Sequence, residues 1–146
     1  MRVIINDRVD IALALNADGV HLGQDDLPTQ AARALLGKNA VIGFSTHTLE
    51  QAIKALNLPI DYIAVGPIFE THTKQDLDAV VGLEKLKQMR NAIGDFPLVA
   101  IGGVNAVNIL SVFDAGANSA AMVGAVVADA SVIETRMSEF LALCSH

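Results

Sequence analysis

The chain has 146 residues, 52% of them hydrophobic, and its 16 acidic and 10 basic residues give a formal net charge of −6. Length and apolar content predict one globular domain over residues 1–146 with a sizeable core. The acidic balance argues against nucleic-acid binding, which needs clustered Lys and Arg to displace counterions. No apolar run reaches the roughly 20 residues that span a bilayer. A lone cysteine, Cys144, excludes a disulfide framework and suits the reducing cytoplasm.

Six short apolar runs predict six β-strands. Each run is rich in β-branched residues and ends near Gly, Asn or Pro, which is the pattern of strands buried on both faces of a parallel sheet. In chain order they cover residues 3–5, 19–22, 41–44, 62–65, 98–101 and 119–123.

The segments between these runs carry helical spacing. Pro28 suits the first turn of a helix that continues through residues 31–36, and Gly37 suits its C-terminal stop. Residues 106–113 are expected to form a further helix. Two apolar stripes at helical spacing are formed by Leu49, Ala52, Ile53 and Leu56, and by Ile133, Met137, Phe140, Leu141 and Cys144.

Strand and helix thus alternate six times with short connections, which predicts a succession of right-handed βαβ units. An open doubly wound sheet and a TIM-type (β/α) barrel both fit this alternation. No G-x-G-x-x-G follows a strand and opens a helix, which argues against the dinucleotide-binding version of the open sheet. Polar residues gather after the carboxyl ends of several strands, where barrels place their chemistry, so we expect the barrel.

Carboxylates follow the first two predicted strands. Asn6 and Asp7 come directly after the first strand, and Asp25 and Asp26 come shortly after the second. Mg²⁺ typically takes one or two carboxylates together with substrate phosphates, so these residues are candidate ligands. The alternative is that they cap the following helices, since Asn and Asp are favoured there.

Hydroxyl side chains and a histidine follow the third strand. Ser45, Thr46 and Thr48 could cap the next helix or bind a substrate. His47 could act as an acid or base near neutral pH, although a histidine there is more often a solvated neighbour of a helix cap.

The loop after the fourth strand contains Thr71, Thr73 and Lys74. Two hydroxyls and one mobile cation fit a lid that grips a phosphate and closes over a substrate. The alternative is an ordinary polar loop with a solvated lysine. The length and composition of this segment favour the functional interpretation.

Glycines follow the last two strands, at Gly102-Gly103 and at Gly124. Glycine lets backbone N–H groups approach an anion, and loops after the last two strands form the usual phosphate site of β/α barrels. The four histidines show no ligand pairing, so the sequence predicts no zinc site.

Five ordered segments together resemble thiamine-phosphate synthase (thiamine-phosphate pyrophosphorylase). They are Ile4-Ile5-Asn6-Asp7-Arg8-Val9-Asp10, Gly19-Val20-His21-Leu22-Gly23-Gln24, Gly43-Phe44-Ser45-Thr46-His47, Gly66-Pro67-Ile68-Phe69 with Thr71-His72-Thr73-Lys74, and Ala100-Ile101-Gly102-Gly103-Val104. The resemblance implies a β/α barrel that joins hydroxymethylpyrimidine diphosphate to thiazole phosphate and releases pyrophosphate with Mg²⁺.

The resemblance also implies a role for each matching residue. Lys74 and Ser45 are the implied catalytic residues, with Lys74 contacting the pyrophosphate and Ser45 lying near the pyrimidine diphosphate. Asp7 and Asp26 are the implied Mg²⁺ ligands. The implied substrate-binding residues are Asn6, Ser45, Thr71, Thr73, Lys74, Gly103, Val123 and Gly124.

The sequence departs from the family pattern in two places. The Gln-x-Arg-x-Lys segment that clamps the diphosphate on an earlier strand does not precede Asn6, and Gly124 stands where the family usually has Ser. We therefore expect an incomplete barrel whose six βα units correspond to strands three to eight. Unpaired strand edges invite pairing with another chain, so the sequence predicts either a homo-oligomer or a shortened form of a longer protein.

Two alternatives to the synthase are a thiazole tautomerase, with His47 transferring a proton, and a catalytically inactive module that binds a phosphate ligand. The combination of Asn6, Asp7, Asp26 and Lys74 favours the synthase, because a tautomerase needs neither a diphosphate nor a Mg²⁺ site.

Overall fold

The computed structural model describes residues 2–71 and 79–143. Their strands form one six-stranded sheet in which every neighbouring pair is parallel and the spatial order follows the sequence. The strands are β1 Ile4–Asn6, β2 Gly19–Leu22, β3 Val41–Thr46, β4 Tyr62–Val65, β5 Leu98–Ile101 and β6 Ser119–Ala121.

Helices alternate with these strands along the chain. They are α1 Val9–Ala14, α2 Thr29–Leu36, α3 Leu49–Ala55, α4 Gly82–Ile93, α5 Ile109–Asp114, α6 Gly124–Val127 and α7 Ile133–Leu143, with a 3₁₀ turn at Ala130–Val132. A doubly wound sheet reverses its strand order at a switch point, whereas this order runs from β1 to β6 without reversal. The fold is therefore an α/β fold of the TIM-like kind.

One face of the sheet forms the apolar core. Register places its residues in adjacent rows, and helix side chains such as Ala32, Leu86 and Met89 pack against them. The fully buried strand residues of this face include Val20, Leu22, Ile42, Ile63, Val65, Leu98 and Ala100. A β-branched or leucine side chain buried in this way contributes about 1.5–3 kcal/mol relative to an exposed one.

The opposite face carries polar side chains in one register row. Asn6 pairs with His21, His21 pairs with Gly43, and Gly43 pairs with Tyr62. Ser45 lies two residues beyond Gly43 on β3 and therefore faces the same way. His21, Ser45 and Tyr62 are only partly buried, so this face keeps contact with solvent.

Three polar residues fix the amino ends of the strands. Asp18, Asp61 and Asn118 each stand directly before an even-numbered strand, and each side chain accepts a hydrogen bond from the backbone N–H at or near the start of the preceding strand. The donors are Val3 N at 2.7 Å, Ile42 N at 2.7 Å and Leu98 N at 2.9 Å. Each pair is reciprocal, because the backbone N–H of the polar residue returns a bond to the carbonyl of its donor residue.

Two arginines strengthen two of these three contacts. Arg33 of α2 donates to Asp61 at 2.7 Å, and Arg90 of α4 donates to the Asn118 side chain at 2.5 Å. Each guanidinium also donates to backbone carbonyls of nearby loops, including those of Pro59 and Gly116. Five donors in a rigid fork allow one arginine to hold several loop carbonyls at once.

The bounds of four predicted elements differ from those observed. The first strand covers residues 4–6 instead of 3–5, so Asn6 belongs to it. The third strand continues through Ser45 and Thr46 instead of ending at residue 44, and the sixth ends at Ala121 instead of residue 123. The helix expected over residues 106–113 begins only at Ile109. Local hydrogen bonds of Asn105 and Asn108 close a turn over the preceding residues, and such side-chain bonds compete with helix formation.

Pro28 is the residue before α2, and Gly37, with a φ of 82°, ends that helix, close to the predicted positions. Cys144, placed in the last stripe, lies outside the described residues. No helix within residues 2–71 and 79–143 combines the length and apolarity needed to cross a membrane.

Replacing Asn118 tests the contacts at the strand starts. In Asn118→Ala the buried Leu98 N–H and the Arg90 guanidinium lose a shared acceptor, so the free energy of unfolding should fall by about 1–3 kcal/mol. Asn118→Asp is the matched control, because Asp61 performs the same role in the preceding pair of strands. Urea unfolding measures both variants, and an Asn118→Ala variant as stable as the parent would contradict this account.

Candidate active site

The candidate site lies at the carboxyl ends of the strands. Asp7 follows β1 with a φ of 62°, a left-handed conformation that few non-glycine residues adopt. Its backbone N–H donates to the carbonyl of His21 at 2.8 Å, which ties the turn after β1 to β2. Strained backbone of this kind clusters at functional sites.

The turn after β2 is closed by Asp26. The Asp26 carboxylate accepts a hydrogen bond from the Gly23 backbone N–H at 2.6 Å, and the Gln24 side chain donates to the Ser45 carbonyl at 2.6 Å. The turn after β1 is therefore held to β2, and the turn after β2 is held to β3. This connection brings the candidate residues of three strands to one edge of the sheet.

The helix-cap alternative for the carboxylates is wrong. The N-cap position of α1 is occupied by Arg8 and that of α2 by Pro28, and neither of these two residues makes a side-chain capping hydrogen bond. Asp26 closes its own turn instead of capping a helix.

Of the hydroxyl side chains near the end of β3, two stabilise the fold and one belongs to the candidate site. Thr46 is fully buried and donates to the Ala64 carbonyl at 3.1 Å. Thr48 caps α3 and forms a capping box with Gln51. Ser45 remains on the polar face, where its Oγ lies 2.9 Å from His21 Nε2.

His47 is held against the backbone. Its Nδ1 lies 2.6 Å from the Gly66 carbonyl, and its backbone N–H donates to the Gln51 side chain at 2.7 Å. The carbonyl can only accept, so Nδ1 carries a proton. The ring therefore joins the ends of β3 and β4.

Segment 67–70 runs beside the end of β5. The Ile68 N–H donates to the Ile101 carbonyl at 2.9 Å, and the Phe69 N–H donates to the Gly102 carbonyl at 3.1 Å. Thr71, partly buried, follows this segment. Thr73 and Lys74 lie outside the described residues, so the phosphate-gripping lid stays a prediction.

Glycine is required after β5 because the chain passes close to segment 67–70. Gly103 has a φ of 68°, and a Cβ there would lie 2.6 Å from the Glu70 carbonyl oxygen. Its own carbonyl accepts from the Asn108 side chain at 3.0 Å. After β6, Val123 is 49% exposed and directly precedes Gly124, the first residue of α6. The glycine-containing turns predicted after the last two strands thus follow neighbouring strands, β5 and β6.

Comparisons with known proteins identify the family. A family model described as thiamine monophosphate synthase matches residues 1–126. The chain belongs to this family. It is 51% identical over 126 residues to the thiamine-phosphate synthase of Chloroflexus aurantiacus, an alignment that covers 86% of this chain and 57% of that protein. It is 48% identical over 124 residues to the thiamine-phosphate synthase of Methanosarcina barkeri, covering 85% and 56%.

A solved member of the family has the same fold. The thiamine phosphate pyrophosphorylase of Pyrococcus furiosus superposes with a TM-score of 0.82 and 34% identity, covering 95% of this chain and 65% of that one. The chain thus spans less than two thirds of the length of the family members described above.

Two residues of the polar face were not singled out from the sequence. The sequence places Tyr62 in an apolar strand, and it places His21 in a strand segment of the family resemblance with no metal-ligand pairing. The Tyr62 hydroxyl lies 2.9 Å from His21 Nδ1, and the two rings stack with centroids 5.5 Å apart. Burial raises the pKa of the Tyr62 phenol, which keeps it protonated. Polar atoms on otherwise apolar strands were the signal that could have identified both residues.

Replacement of Gly103 by alanine should lower the free energy of unfolding by more than the positive φ of this residue alone explains. Gly103→Ala forces a Cβ against Phe69 and Glu70, whereas at Gly82, with a φ of 77°, no described residue beyond the chain neighbours and the helix's own backbone comes within 4 Å of an added Cβ. We expect Gly82→Ala to cost about 1–2 kcal/mol of unfolding free energy from the left-handed backbone and Gly103→Ala to cost clearly more. Equal losses in urea unfolding would show that the close approach is unimportant.

Proposed function

We propose that this chain condenses 4-amino-2-methyl-5-hydroxymethylpyrimidine diphosphate with thiazole phosphate to give thiamine phosphate and pyrophosphate. The observation that carries the proposal is the polar edge formed by β1, β2 and β3. There Asn6 shares a register row with His21, and the Gln24 bond to the Ser45 carbonyl connects the turn of Asp26 to β3. The 51% identity to a thiamine-phosphate synthase supports this assignment.

The proposed reaction breaks one bond and forms one. The bond between the pyrimidine methylene carbon and the diphosphate oxygen breaks, and its electron pair leaves with pyrophosphate. The thiazole nitrogen then donates its lone pair to the methylene carbon. Neither step requires an oxidant, and the protein's contribution is to stabilise the charge that develops on the leaving group.

Asn6 and Lys74 are proposed to hold the diphosphate. Asn6 lies at the end of β1, in the row that also contains His21, and its amide can donate to a phosphate oxygen. Lys74 follows Thr71 and Thr73 in the loop after β4, and we propose that its ammonium group neutralises the departing pyrophosphate. Ser45 is proposed to contact the pyrimidine diphosphate from β3.

Asp7 and Asp26 fit a Mg²⁺ site in their chemistry. They stand after adjacent parallel strands, and the Gly23 N–H orients the Asp26 carboxylate. The described residues hold no group of three or more His, Cys, Asp or Glu side chains that could hold a metal ion. Mg²⁺ commonly takes one or two carboxylates and completes its shell with phosphate and water. Bound Mg²⁺ would supply charge neutralisation at the diphosphate.

The thiazole phosphate is proposed to bind at the carboxyl ends of β5 and β6. Gly103, Val123 and Gly124 follow neighbouring strands, and their backbone N–H groups can approach an anion closely. Thr71 and Thr73 would add hydroxyl donors. The substitution of Gly124 for the family's usual serine removes a hydroxyl but keeps the N–H.

We propose further that residues 1–146 form one domain, acting in the cytoplasm, whose six βα units occupy positions three to eight of the family's barrel. The unreversed parallel order of β1 to β6 supports this correspondence. β1 and β6 are the outermost strands of the sheet, and apolar side chains near β1, including Val3 and Leu15, are about half or more exposed. Unpaired edges promote association, so we propose that a second copy pairs with them.

A direct assay tests the reaction together with its metal. The purified chain, the two phosphorylated substrates and Mg²⁺ should yield thiamine phosphate and pyrophosphate in equal amounts, measured by chromatography. Absence of both products, with a family member such as the Chloroflexus protein active under the same conditions, would contradict the proposed activity of this chain.

The variant Asp26→Asn separates metal binding from turn closure. An amide oxygen still accepts from the Gly23 N–H, so the turn persists, while the charge at the metal site is lost. We expect the condensation rate to fall about 10²-fold, with partial recovery at high Mg²⁺. Asp25→Asn, in the same turn, is the matched control and should retain the parental rate. Equal behaviour of the two variants would refute the assignment of Asp26 as a ligand.

Association through the strand edges can be measured by light scattering coupled to size-exclusion chromatography. We expect a mass at least twice the 15.3 kDa of one chain, with the proportion of the larger species rising with concentration. A well-folded monomer that persists at all concentrations would contradict the proposed pairing.

A further inference from the structure

A hydrogen-bonded chain of three side chains crosses the polar face of the sheet. The Tyr62 hydroxyl lies 2.9 Å from His21 Nδ1, and His21 Nε2 lies 2.9 Å from Ser45 Oγ. This series of hydrogen bonds therefore leads from a partly buried phenol on β4, through an imidazole on β2, to the Ser45 hydroxyl on β3, which we propose contacts the substrate. The proposed function gives no role to His21 or Tyr62.

The contact between His21 and Tyr62 depends on Gly43. These two residues belong to strands separated by β3, roughly 10 Å apart in a regular sheet, and Gly43 lies between them in the same register row. A Cβ on Gly43 would lie 2.0 Å from Tyr62 Cζ and 2.4 Å from His21 Nδ1. The missing side chain thus provides the space in which the two rings stack.

The two neutral tautomers of His21 have opposite consequences for Ser45. A neutral imidazole carries a proton on one nitrogen and accepts at the other. If Nδ1 accepts from the Tyr62 O–H, then Nε2–H donates to Ser45 Oγ, and the serine proton can be donated to a ligand. If the proton is on Nδ1, then Ser45 donates to Nε2 and can offer a ligand only its lone pairs.

The surroundings of Tyr62 favour the first arrangement. Among the described residues, His21 is the hydrogen-bond partner found for the Tyr62 hydroxyl, so donation to Nδ1 satisfies the phenolic proton. In the second arrangement that proton would need another acceptor in a partly buried place, and leaving such a group unsatisfied is costly.

We propose that Tyr62 and His21 are positioning residues that make the Ser45 hydroxyl a hydrogen-bond donor to an acceptor atom of the pyrimidine diphosphate. This inference rests on the proposed function for the identity of the ligand, but the arrangement of protons does not. His21 holds Ser45 Oγ as an acceptor through Nε2–H, and Tyr62 holds His21 in the tautomer that does so.

The proton arrangement is tested in the free protein. The chain is labelled with ¹⁵N histidine, and long-range ¹H–¹⁵N spectra report which ring nitrogen of His21 carries the proton, with His21→Gln identifying its signals. We expect protonation at Nε2 and a change in the Nδ1 shift in Tyr62→Phe, which lacks the donor. A proton on Nδ1, or on both nitrogens, at neutral pH would overturn the proposal.

The effect on binding is tested by calorimetry with pyrimidine diphosphate and Mg²⁺. Tyr62→Phe should raise Kd about three- to tenfold, the range expected for one hydrogen bond. The double variant Tyr62→Phe/Ser45→Ala should bind no more weakly than Ser45→Ala alone, because both substitutions interrupt the same series of hydrogen bonds. Fully additive losses would show that Tyr62 acts independently of Ser45 and would overturn the positioning role.

The variant His21→Gln should remove the dependence of ligand binding on Tyr62. The amide nitrogen of His21→Gln can donate to Ser45 Oγ without help from a phenol, so Tyr62→Phe should have little further effect on Kd in that background. Thermal unfolding checks that each variant is folded. If the parental chain does not bind pyrimidine diphosphate, the proposed function fails, and the NMR result alone then decides whether the proton arrangement is correct.

Discussion

The parallel register of the strands is the constraint on which the candidate site depends. It places Asn6, His21, Gly43 and Tyr62 in one row across four strands, and a slip of one residue in any strand would turn its side chain to the opposite face. The opposite face is closely packed by residues such as Val20 and Ile42. The cost of exposing those apolar side chains therefore fixes the position of the polar ones.

Contacts at the amino ends of the strands support the same register. Asp18, Asp61 and Asn118 occupy equivalent places before β2, β4 and β6, and each accepts from the backbone of the preceding strand. Ile42 and Leu98 are buried. Because a buried N–H without a partner is costly, Asp61 and Asn118 oppose sliding of their paired strands. The chemistry proposed at the carboxyl ends is thus held in place from the other end of the sheet.

Much of the fold could be predicted from residue patterns, because most strands are short β-branched runs and two of the helices have a clear apolar stripe, although β6 (Ser119–Ala121) contains no β-branched residue. The predicted bounds were wrong where polar side chains form hydrogen bonds with the backbone. Ser45 and Thr46 suggested a loop, yet Thr46 is buried in β3 with its hydroxyl on the Ala64 carbonyl. Asn105 and Asn108 delay the start of α5 through local hydrogen bonds. Asp26 is a candidate metal ligand from the sequence, but its bond to the Gly23 N–H could not be predicted from the sequence.

The sequence alone determined the alternation of strands and helices, the family resemblance and the residue types available after each strand, since these depend on neighbours along the chain. Only the tertiary structure decided which of those residues meet. His21 reaches Tyr62 across 41 positions and Ser45 across 24, and the contact with Tyr62 requires Gly43 on the strand between them. Contacts of this kind follow from the pairing of whole strands, which no local pattern specifies.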